Sequence, residues 1–270
     1  MSTPRVVIIT GAAGGVGRAM LAEFAARGDL LIGVDVVQSG LADAVREFGD
    51  QHHAFECDLS DEANIMALFN EIDGVVDRVD VLLNNAAVGP TMQPTLETDM
   101  AGFRKAIHTN LYGPFVMARE AARRMPANGG AIINTASLAG VPGNPGRNAY
   151  AASKAAIDIF TKGLSDEVAV DNIRVNSLRP GLIETDLHGK GGEPDRAQRL
   201  AHMVPMKRTG SPEEVARSVL YLLSDEASYV TGALLDSAGV TDFDADKIAF
   251  FAVGSNDITT GDKDATGAIE

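Results

Sequence analysis

The sequence predicts a single α/β domain, organised as a doubly wound parallel sheet with helices on both faces. Short apolar runs alternate with helical patterns about seven times before residue 240. Strands that alternate with helices in this way pair in parallel through crossover connections. Most of the runs are apolar at every position, which is typical of strands that are buried on both faces. No linker or internal repeat divides this part of the chain.

The strands are predicted from these apolar runs. The first is a series of β-branched residues that stops at Gly11, and the run at 53–55 is weaker than the others. The full set of predicted strands is 5–10, 30–34, 53–55, 81–83, 131–134, 173–176 and 233–235.

Helical patterns fill the intervals between the strands, and several helix ends carry capping residues. Gly28 is placed to end the first helix, Ser60 to cap the third, and Ser211 to cap the last. The dipeptide Gly113-Pro114 predicts a kink in the longest helix. The predicted helices are 15–27, 39–48, 61–76, 99–125, 148–170 and one that begins near 211.

The composition argues against several classes of function. The formal net charge is −14, so neither a nucleic acid nor an anionic membrane surface is an expected partner. No apolar run approaches the roughly 20 residues of a membrane span. The chain enters its first strand without a signal sequence, so a cytoplasmic location is expected. The single cysteine, Cys57, has no disulfide partner, and the scattered histidines predict no metal site.

The turn after the first strand holds Gly11, Gly15 and Gly17 directly before a helix. Glycines there let the backbone turn tightly and approach a pyrophosphate at the helix N-terminus. Many glycine-rich turns bind nothing, but the flanking strand and helix favour a phosphate site. The motif therefore predicts a Rossmann-type dinucleotide-binding unit.

Asp35 ends the second predicted strand, 18 positions after Gly17. An acid near this distance accepts a hydrogen bond from the ribose 2′-hydroxyl and repels a 2′-phosphate. The next residues, Val36 and Val37, supply no positive charge. An acid at the start of a loop is common, but its occurrence together with the glycine turn favours NAD over NADP.

Tyr150 and Lys154 are four positions apart near the start of a helix, so they share a face. Ser137 follows the preceding strand, at the sheet edge where parallel sheets bind ligands. A phenol titrates near ~10 in isolation, and a neighbouring ammonium lowers that value. A hydroxyl can hold a substrate oxygen while charge develops on it. This grouping predicts proton transfer to or from an oxygen.

These motifs resemble those of the short-chain dehydrogenase/reductase family over roughly residues 5–239. The resemblance implies a catalytic domain at 1–239 and an oxidoreductase that moves a hydride between NAD(H) and a small secondary alcohol or ketone. It also implies a homotetramer, or a dimer. The motifs are Thr10-Gly11-x-x-x-Gly15-x-Gly17, Asp58, Asn84-Asn85-Ala86, Asn110, Ser137, Tyr150-x-x-x-Lys154 and Pro180-Gly181.

The resemblance implies a role for each matching residue. Tyr150 would exchange a proton with the substrate oxygen, which Ser137 would hold. Lys154 would bind the nicotinamide ribose and lower the pKa of Tyr150, and Asn110 would hold a water that links Lys154 to solvent. Gly14 stands where NADP-binding relatives often have a basic residue, which again favours NAD. The other expected cofactor-binding residues are Gly11, Gly15, Val16, Gly17, Asp35, Asp58, Leu59, Asn84, Ala86, Pro180, Gly181, Ile183 and Thr185.

Residues 181–210 correspond to the family's variable substrate loop. Arg147 is either a contact for a substrate carboxylate or phosphate, or a solvated surface arginine. Nothing in the sequence selects one substrate among sugars, polyols, steroids, hydroxy acids and acyl thioesters. The candidate substrate-contacting residues are Ser137, Leu138, Asn144, Arg147 and His188.

Three features depart from the family pattern. Ala87 and Val240 occupy positions where the family usually has glycine. The segment 240–270 extends past the usual end of the domain, and it is interpreted as an interface arm or a partly disordered tail.

Two other functions remain open. The first is a non-catalytic NAD-binding sensor or scaffold on the same fold. The second is a related epimerase or dehydratase, although those relatives usually carry a larger C-terminal substrate domain.

Overall fold

The computed structural model describes residues 4–37, 39–89, 93–143, 146–185 and 195–239. The strands are β1 (Val6–Thr10), β2 (Leu30–Asp35), β3 (His53–Glu56), β4 (Val81–Asn84), β5 (Gly130–Thr135), β6 (Ile173–Pro180) and β7 (Leu234–Ser237). They form one parallel sheet in the order β3-β2-β1-β4-β5-β6-β7. The direction of winding reverses between β1 and β4, which confirms the predicted doubly wound fold and places a ligand crevice at that point.

The two faces of the sheet are covered by separate helical layers. The helices are α1 (Gly15–Ala25), α2 (Leu41–Arg46), α3 (Glu62–Ile72), α4 (Met100–Ile107), α5 (Gly113–Ala122), α6 (Asn148–Val168), α7 (Arg196–Leu200) and α8 (Pro212–Leu223). Side chains alternate along β1, so Val7 and Ile9 join the layer of α1, α2 and α8, whereas Val6 and Ile8 join that of α3 and α5. None of the described helices is long and apolar enough to cross a bilayer.

One predicted helix cap is confirmed and another is wrong. Ser211 caps α8 in a reciprocal capping box with Glu214. At the start of α3 the cap is Asp61 rather than Ser60, because the Asp61 carboxylate accepts a hydrogen bond from the Ala63 amide at 2.9 Å. Ser60 instead lies in a turn in which its own amide donates to Asp58.

The helix predicted over 99–125 is interrupted. A π-helical turn, His108–Tyr112, separates α4 from α5. Pro114 lacks the amide proton that would continue the regular ladder, and its ring crowds the carbonyl one turn earlier. Gly113 packs so closely that a side-chain carbon there would lie 2.5 Å from the Leu59 carbonyl oxygen. The irregularity predicted at this dipeptide is therefore present, as a wide turn that contains Asn110.

Other element boundaries differ at the carboxyl edge of the sheet. β6 continues to Pro180, four residues beyond the prediction, because β7 pairs with its last residues. The segment 181–210, which corresponds to the variable substrate loop, contains α7. Its two ends are joined by a bridge between Ile183 and Gly210. α2 is shorter than predicted. The extension 240–270 lies outside the described residues.

Candidate active site

A cavity of about 1070 Å³ opens at the carboxyl ends of the central strands. It joins the glycine turn after β1 to the start of α6, which are far apart in the sequence. Asn84 and Asn110 lie behind its wall, and Asn144 and His188 are outside the described residues. The predicted site residues that line the cavity are Gly11, Gly15, Val16, Gly17, Asp35, Asp58, Leu59, Ala86, Ser137, Leu138, Arg147, Tyr150, Lys154, Pro180, Gly181, Ile183 and Thr185.

The glycine turn requires glycine at two of its positions. Gly11 has φ +66°, and a side-chain carbon there would lie 2.9 Å from the Ala86 Cα. At Gly17 the same carbon would lie 2.1 Å from the Gly11 carbonyl oxygen. Both obstacles are backbone atoms, which cannot rotate away. The turn therefore packs directly against the segment that follows β4 and against the start of α1.

The start of α1 fits a pyrophosphate. Gly14 precedes the helix without a side-chain cap, and the first turn contains no acidic residue. The amides there are consequently available to an anion, which the helix dipole also favours. A methyl group on Gly15 would lie 3.2 Å from Thr185 Cγ2, so the chain after β6 closes over the turn.

Asp35 lies at the opposite edge of the glycine turn, where it forms two backbone hydrogen bonds. One carboxylate oxygen accepts from the Ala13 amide at 2.9 Å, and the other from the Val36 amide at 2.8 Å. These bonds hold the carboxylate at the cavity wall. Asp58 lines the same end of the cavity, and the Ser60 amide holds the pKa of its carboxyl below the usual value. This end of the cavity therefore carries two acids.

Asn84 supports the sheet beneath the cavity. Its amide nitrogen donates to the Pro114 carbonyl at 3.1 Å and to the Asn134 side chain at 2.9 Å. Asn134 donates in turn to the Thr161 hydroxyl at 3.0 Å. Asn134 and Thr161 were not predicted as site residues, although a polar residue inside the apolar run 131–134 was a detectable signal. This buried polar row links α5, the sheet and α6 behind the site.

Asn110 has both of its side-chain polar atoms engaged. Its oxygen accepts from the Val88 amide at 2.8 Å, and its nitrogen donates to the Val88 carbonyl at 3.0 Å and to Ser153 Oγ at 3.2 Å. The side chain therefore fixes the loop that follows β4.

Tyr150 faces the cavity beside Ser137. Burial raises the pKa of Tyr150, while the Ser137 hydroxyl and the Arg147 guanidinium act to lower it. Ser137 Oγ also accepts a hydrogen bond from the Ala139 amide at 3.1 Å, which orients the hydroxyl. Tyr150 is therefore mainly protonated near neutral pH in this structure.

The effect of Lys154 on the pKa of Tyr150 stays a prediction, and the structure shows where the Lys154 ammonium lies. Lys154 Nζ donates to the Thr135 carbonyl at 2.6 Å and lies 5.8 Å from the centre of the Tyr150 ring. The ammonium therefore bonds to the backbone of β5, while the Arg147 guanidinium acts to lower the pKa of Tyr150. Burial lowers the pKa of Lys154 to about 8.

The wall near Tyr150 is largely apolar. Leu138 was predicted to contact the substrate here. Other apolar residues that line the wall are Leu182, Met203, Val204 and Pro205. Arg196 on α7 also lines the cavity and is buried. Among the described residues, no three His, Cys, Asp or Glu side chains lie together as a metal site would require.

Comparisons with known proteins agree with this arrangement. A family model described as enoyl-(acyl carrier protein) reductase matches residues 11–239. The chain is 42% identical over 236 residues to the short-chain type dehydrogenase/reductase y4vI of Sinorhizobium fredii, covering 86% of this chain and 42% of that protein. It is 39% identical over 244 residues to the oxidoreductase YgfF of Escherichia coli, covering 87% of this chain and 98% of that protein.

A solved structure has the same fold. The crystal structure of 3-ketoacyl-(acyl-carrier-protein) reductase from Brucella melitensis, complexed with NADH, matches with a TM-score of 0.81 at 30% identity. The match covers 87% of this chain and 97% of that one.

Proposed function

The chain belongs to the short-chain dehydrogenase/reductase family, and we propose that it transfers a hydride between NAD(H) and a small secondary alcohol or ketone. Membership makes the chain an oxidoreductase with a nicotinamide dinucleotide cofactor. The observation that carries the finer proposal is the single cavity that brings the glycine turn together with Ser137, Tyr150 and Lys154.

The fit of the cofactor rests on this chain's own residues. The turn at Gly11–Gly17 and the uncapped start of α1 would hold the pyrophosphate. Asp35 would accept a hydrogen bond from the adenosine ribose, and Lys154 would donate to the nicotinamide ribose. Ile183 and Thr185 would bind the carboxamide. When bound, the cofactor supplies the hydride donor or acceptor.

Tyr150 would act as the general acid in reduction and as the general base in oxidation. In the reducing direction its hydroxyl donates to the carbonyl oxygen of the substrate, which Ser137 holds by a second hydrogen bond. In the oxidising direction the phenolate takes the proton from the alcohol. Because burial raises the pKa of Tyr150, we expect the oxidation rate to rise with pH and the reduction rate to fall.

Turnover is the direct test. Purified protein is incubated with NAD+ and a panel of secondary alcohols, and with NADH and the matching ketones, while the absorbance of NADH is followed. Turnover of at least one pair supports the proposal. Cofactor binding without turnover anywhere on a broad panel would favour the sensor or scaffold alternative.

The preference for NAD gives a quantitative prediction. We expect NADH to bind at least about tenfold more tightly than NADPH. Repulsion between the Asp35 carboxylate and the 2′-phosphate should weaken the binding free energy of NADPH by more than about 1.4 kcal/mol. Asp35→Ala should reduce the difference between the two affinities. It should weaken the binding of NADH, which loses a hydrogen bond, and strengthen that of NADPH, whose 2′-phosphate is no longer repelled.

The control for this prediction is Asp43→Ala, which removes the same charge from the exposed surface of α2. It should leave both affinities unchanged in a fluorescence titration. Equal affinity of the unmodified protein for the two cofactors would refute the role given to Asp35.

We also propose a homotetramer or dimer whose interface lies along the helices that carry Asn110 and Tyr150. Large apolar side chains at Tyr112, Phe115 and Ile159 are exposed on this surface, and Ile159 is 69% exposed. Ile159→Glu should lower the mass measured by light scattering, because a charge would be buried in the interface. Val75→Glu, at another exposed apolar position, should leave the mass measured by light scattering unchanged. An unchanged mass for Ile159→Glu would place the interface elsewhere.

A further inference from the structure

A buried carboxylate lies one helical turn from Lys154. Lys154 and Asp158 are four residues apart on the face of α6 that packs on the sheet. They are 2% and 6% exposed, respectively. The proposed reaction gives Asp158 no task. Its burial therefore requires an explanation, since burying an ionisable group is costly.

Asp158 is held by side chains of the adjacent strands. The Ser177 hydroxyl of β6 donates to one carboxylate oxygen at 2.7 Å. The Arg179 guanidinium, also on β6, lies 3.8 Å from the other oxygen. Arg179 in turn donates to Asp236 on β7. The charged groups that act on Asp158 are thus Lys154 and Lys162 of its own helix, Arg179 and Asp236.

We propose that Asp158 is a positioning residue for Lys154: the buried carboxylate of Asp158 keeps the Lys154 ammonium charged where it donates to the Thr135 carbonyl. The inference rests on the proposed function in one respect, because the charge matters for catalysis only if Lys154 binds the nicotinamide ribose.

The physical basis is mutual stabilisation of two buried charges. Burial lowers the pKa of Lys154 to about 8, and the attraction of Asp158 opposes that decrease. Burial also raises the pKa of Asp158, which the Ser177 hydroxyl and the Arg179 guanidinium oppose. Without the carboxylate, a larger fraction of Lys154 would lose its proton near neutral pH. Neutral Lys154 has fewer donors with which to bind the nicotinamide ribose.

The test measures the titration of Lys154 itself. The protein is labelled with 13C at lysine Cε, the Lys154 signal is assigned by its loss in Lys154→Met, and the chemical shift is followed with pH in the cofactor-free protein. Asp158→Asn should lower the midpoint by about one pH unit, the usual effect of removing one close charge. An unchanged midpoint would overturn the proposal.

Asp236→Asn is the matched control. It removes the same charge from the other carboxylate bound to Arg179, but leaves Asp158 in place. Its Lys154 midpoint should remain within a few tenths of a unit of the unmodified value. Equal shifts in the two variants would mean that the whole ion-pair network, rather than Asp158, acts on Lys154, and would also overturn the proposal.

A second variant covers the case in which Asp158→Asn does not fold. Asp158→Glu retains the charge and should keep the Lys154 midpoint near that of the unmodified protein, whereas a decrease would contradict the electrostatic role. In turnover assays, the alkaline limit of kcat/KM should move with the Lys154 midpoint. The titration needs neither cofactor nor substrate, so a failure of the proposed function would leave its result interpretable.

Discussion

Tyr150→Phe should reduce turnover by about a thousandfold while cofactor binding stays within twofold of the unmodified protein. The substitution removes only the phenolic oxygen, so the ring still fills its place beside Ser137 at the cavity wall. Without that oxygen, no group in the proposed mechanism can exchange a proton with the substrate. The measurements are kcat by NADH absorbance and the dissociation constant by NADH fluorescence.

The matched control is Tyr229→Phe, which removes the hydroxyl of a fully exposed tyrosine outside the cavity. Its turnover should equal that of the unmodified protein. A Tyr150→Phe variant with ordinary turnover would eliminate Tyr150 as the acid/base. If the rate of the unmodified protein rises with pH in the oxidising direction, that dependence should also disappear in the residual activity of Tyr150→Phe.

Gly17→Ala should destabilise the protein by about 3 kcal/mol and weaken NADH binding at least a hundredfold. The added carbon would lie 2.1 Å from the Gly11 carbonyl oxygen and 2.7 Å from the Ala12 Cα. The start of α1 would have to move away from the turn, which would displace the amides proposed to bind the pyrophosphate. In the absence of a clash, replacing glycine by alanine in a helix stabilises the helix by up to about 1 kcal/mol. A loss of stability in Gly17→Ala would therefore be caused by the clash.

Gly163→Ala provides the comparison for this prediction. Gly163 lies in α6, and an added carbon would meet no atom within 4 Å. That substitution should leave stability unchanged or increase it by up to about 1 kcal/mol. The measurements are urea unfolding and NADH titration. A Gly17→Ala variant as stable as Gly163→Ala would show that the turn is less tightly packed than the structure indicates.

For Lys154, the sequence predicted the position of the residue but not the contacts of its side chain. Its spacing from Tyr150 predicts a shared helix face, and both residues line the cavity. The direction of its ammonium was not predictable, since the Thr135 carbonyl that accepts its hydrogen bond is 19 positions away, at the end of β5. The same holds for Asp158, whose partners are Ser177 and Arg179 of β6. No local sequence pattern indicates which strand will pack against a given turn of a helix.

Short-range features were predicted better, with exceptions that also have physical causes. Ser211 could be recognised as a cap because the capping box lies within four residues. Ser60 was assigned wrongly since three polar residues compete there, and Asp58 engages the Ser60 amide first. The π-helical turn at Asn110 could be expected only as an unspecified irregularity, because its form depends on how closely Gly113 packs on Leu59.

The sequence by itself determined the parallel α/β architecture, the glycine turn with Asp35, and the pairing of Tyr150 with Lys154. These depend on hydrophobic periodicity, backbone freedom and spacing along one helix, which are local properties. The tertiary structure alone decided that burial raises the pKa of Tyr150, that Lys154 bonds to β5, and that Asp158 lies beneath it. Those outcomes depend on strand order and register, which bring distant residues into a shared, poorly solvated layer where single charges act strongly.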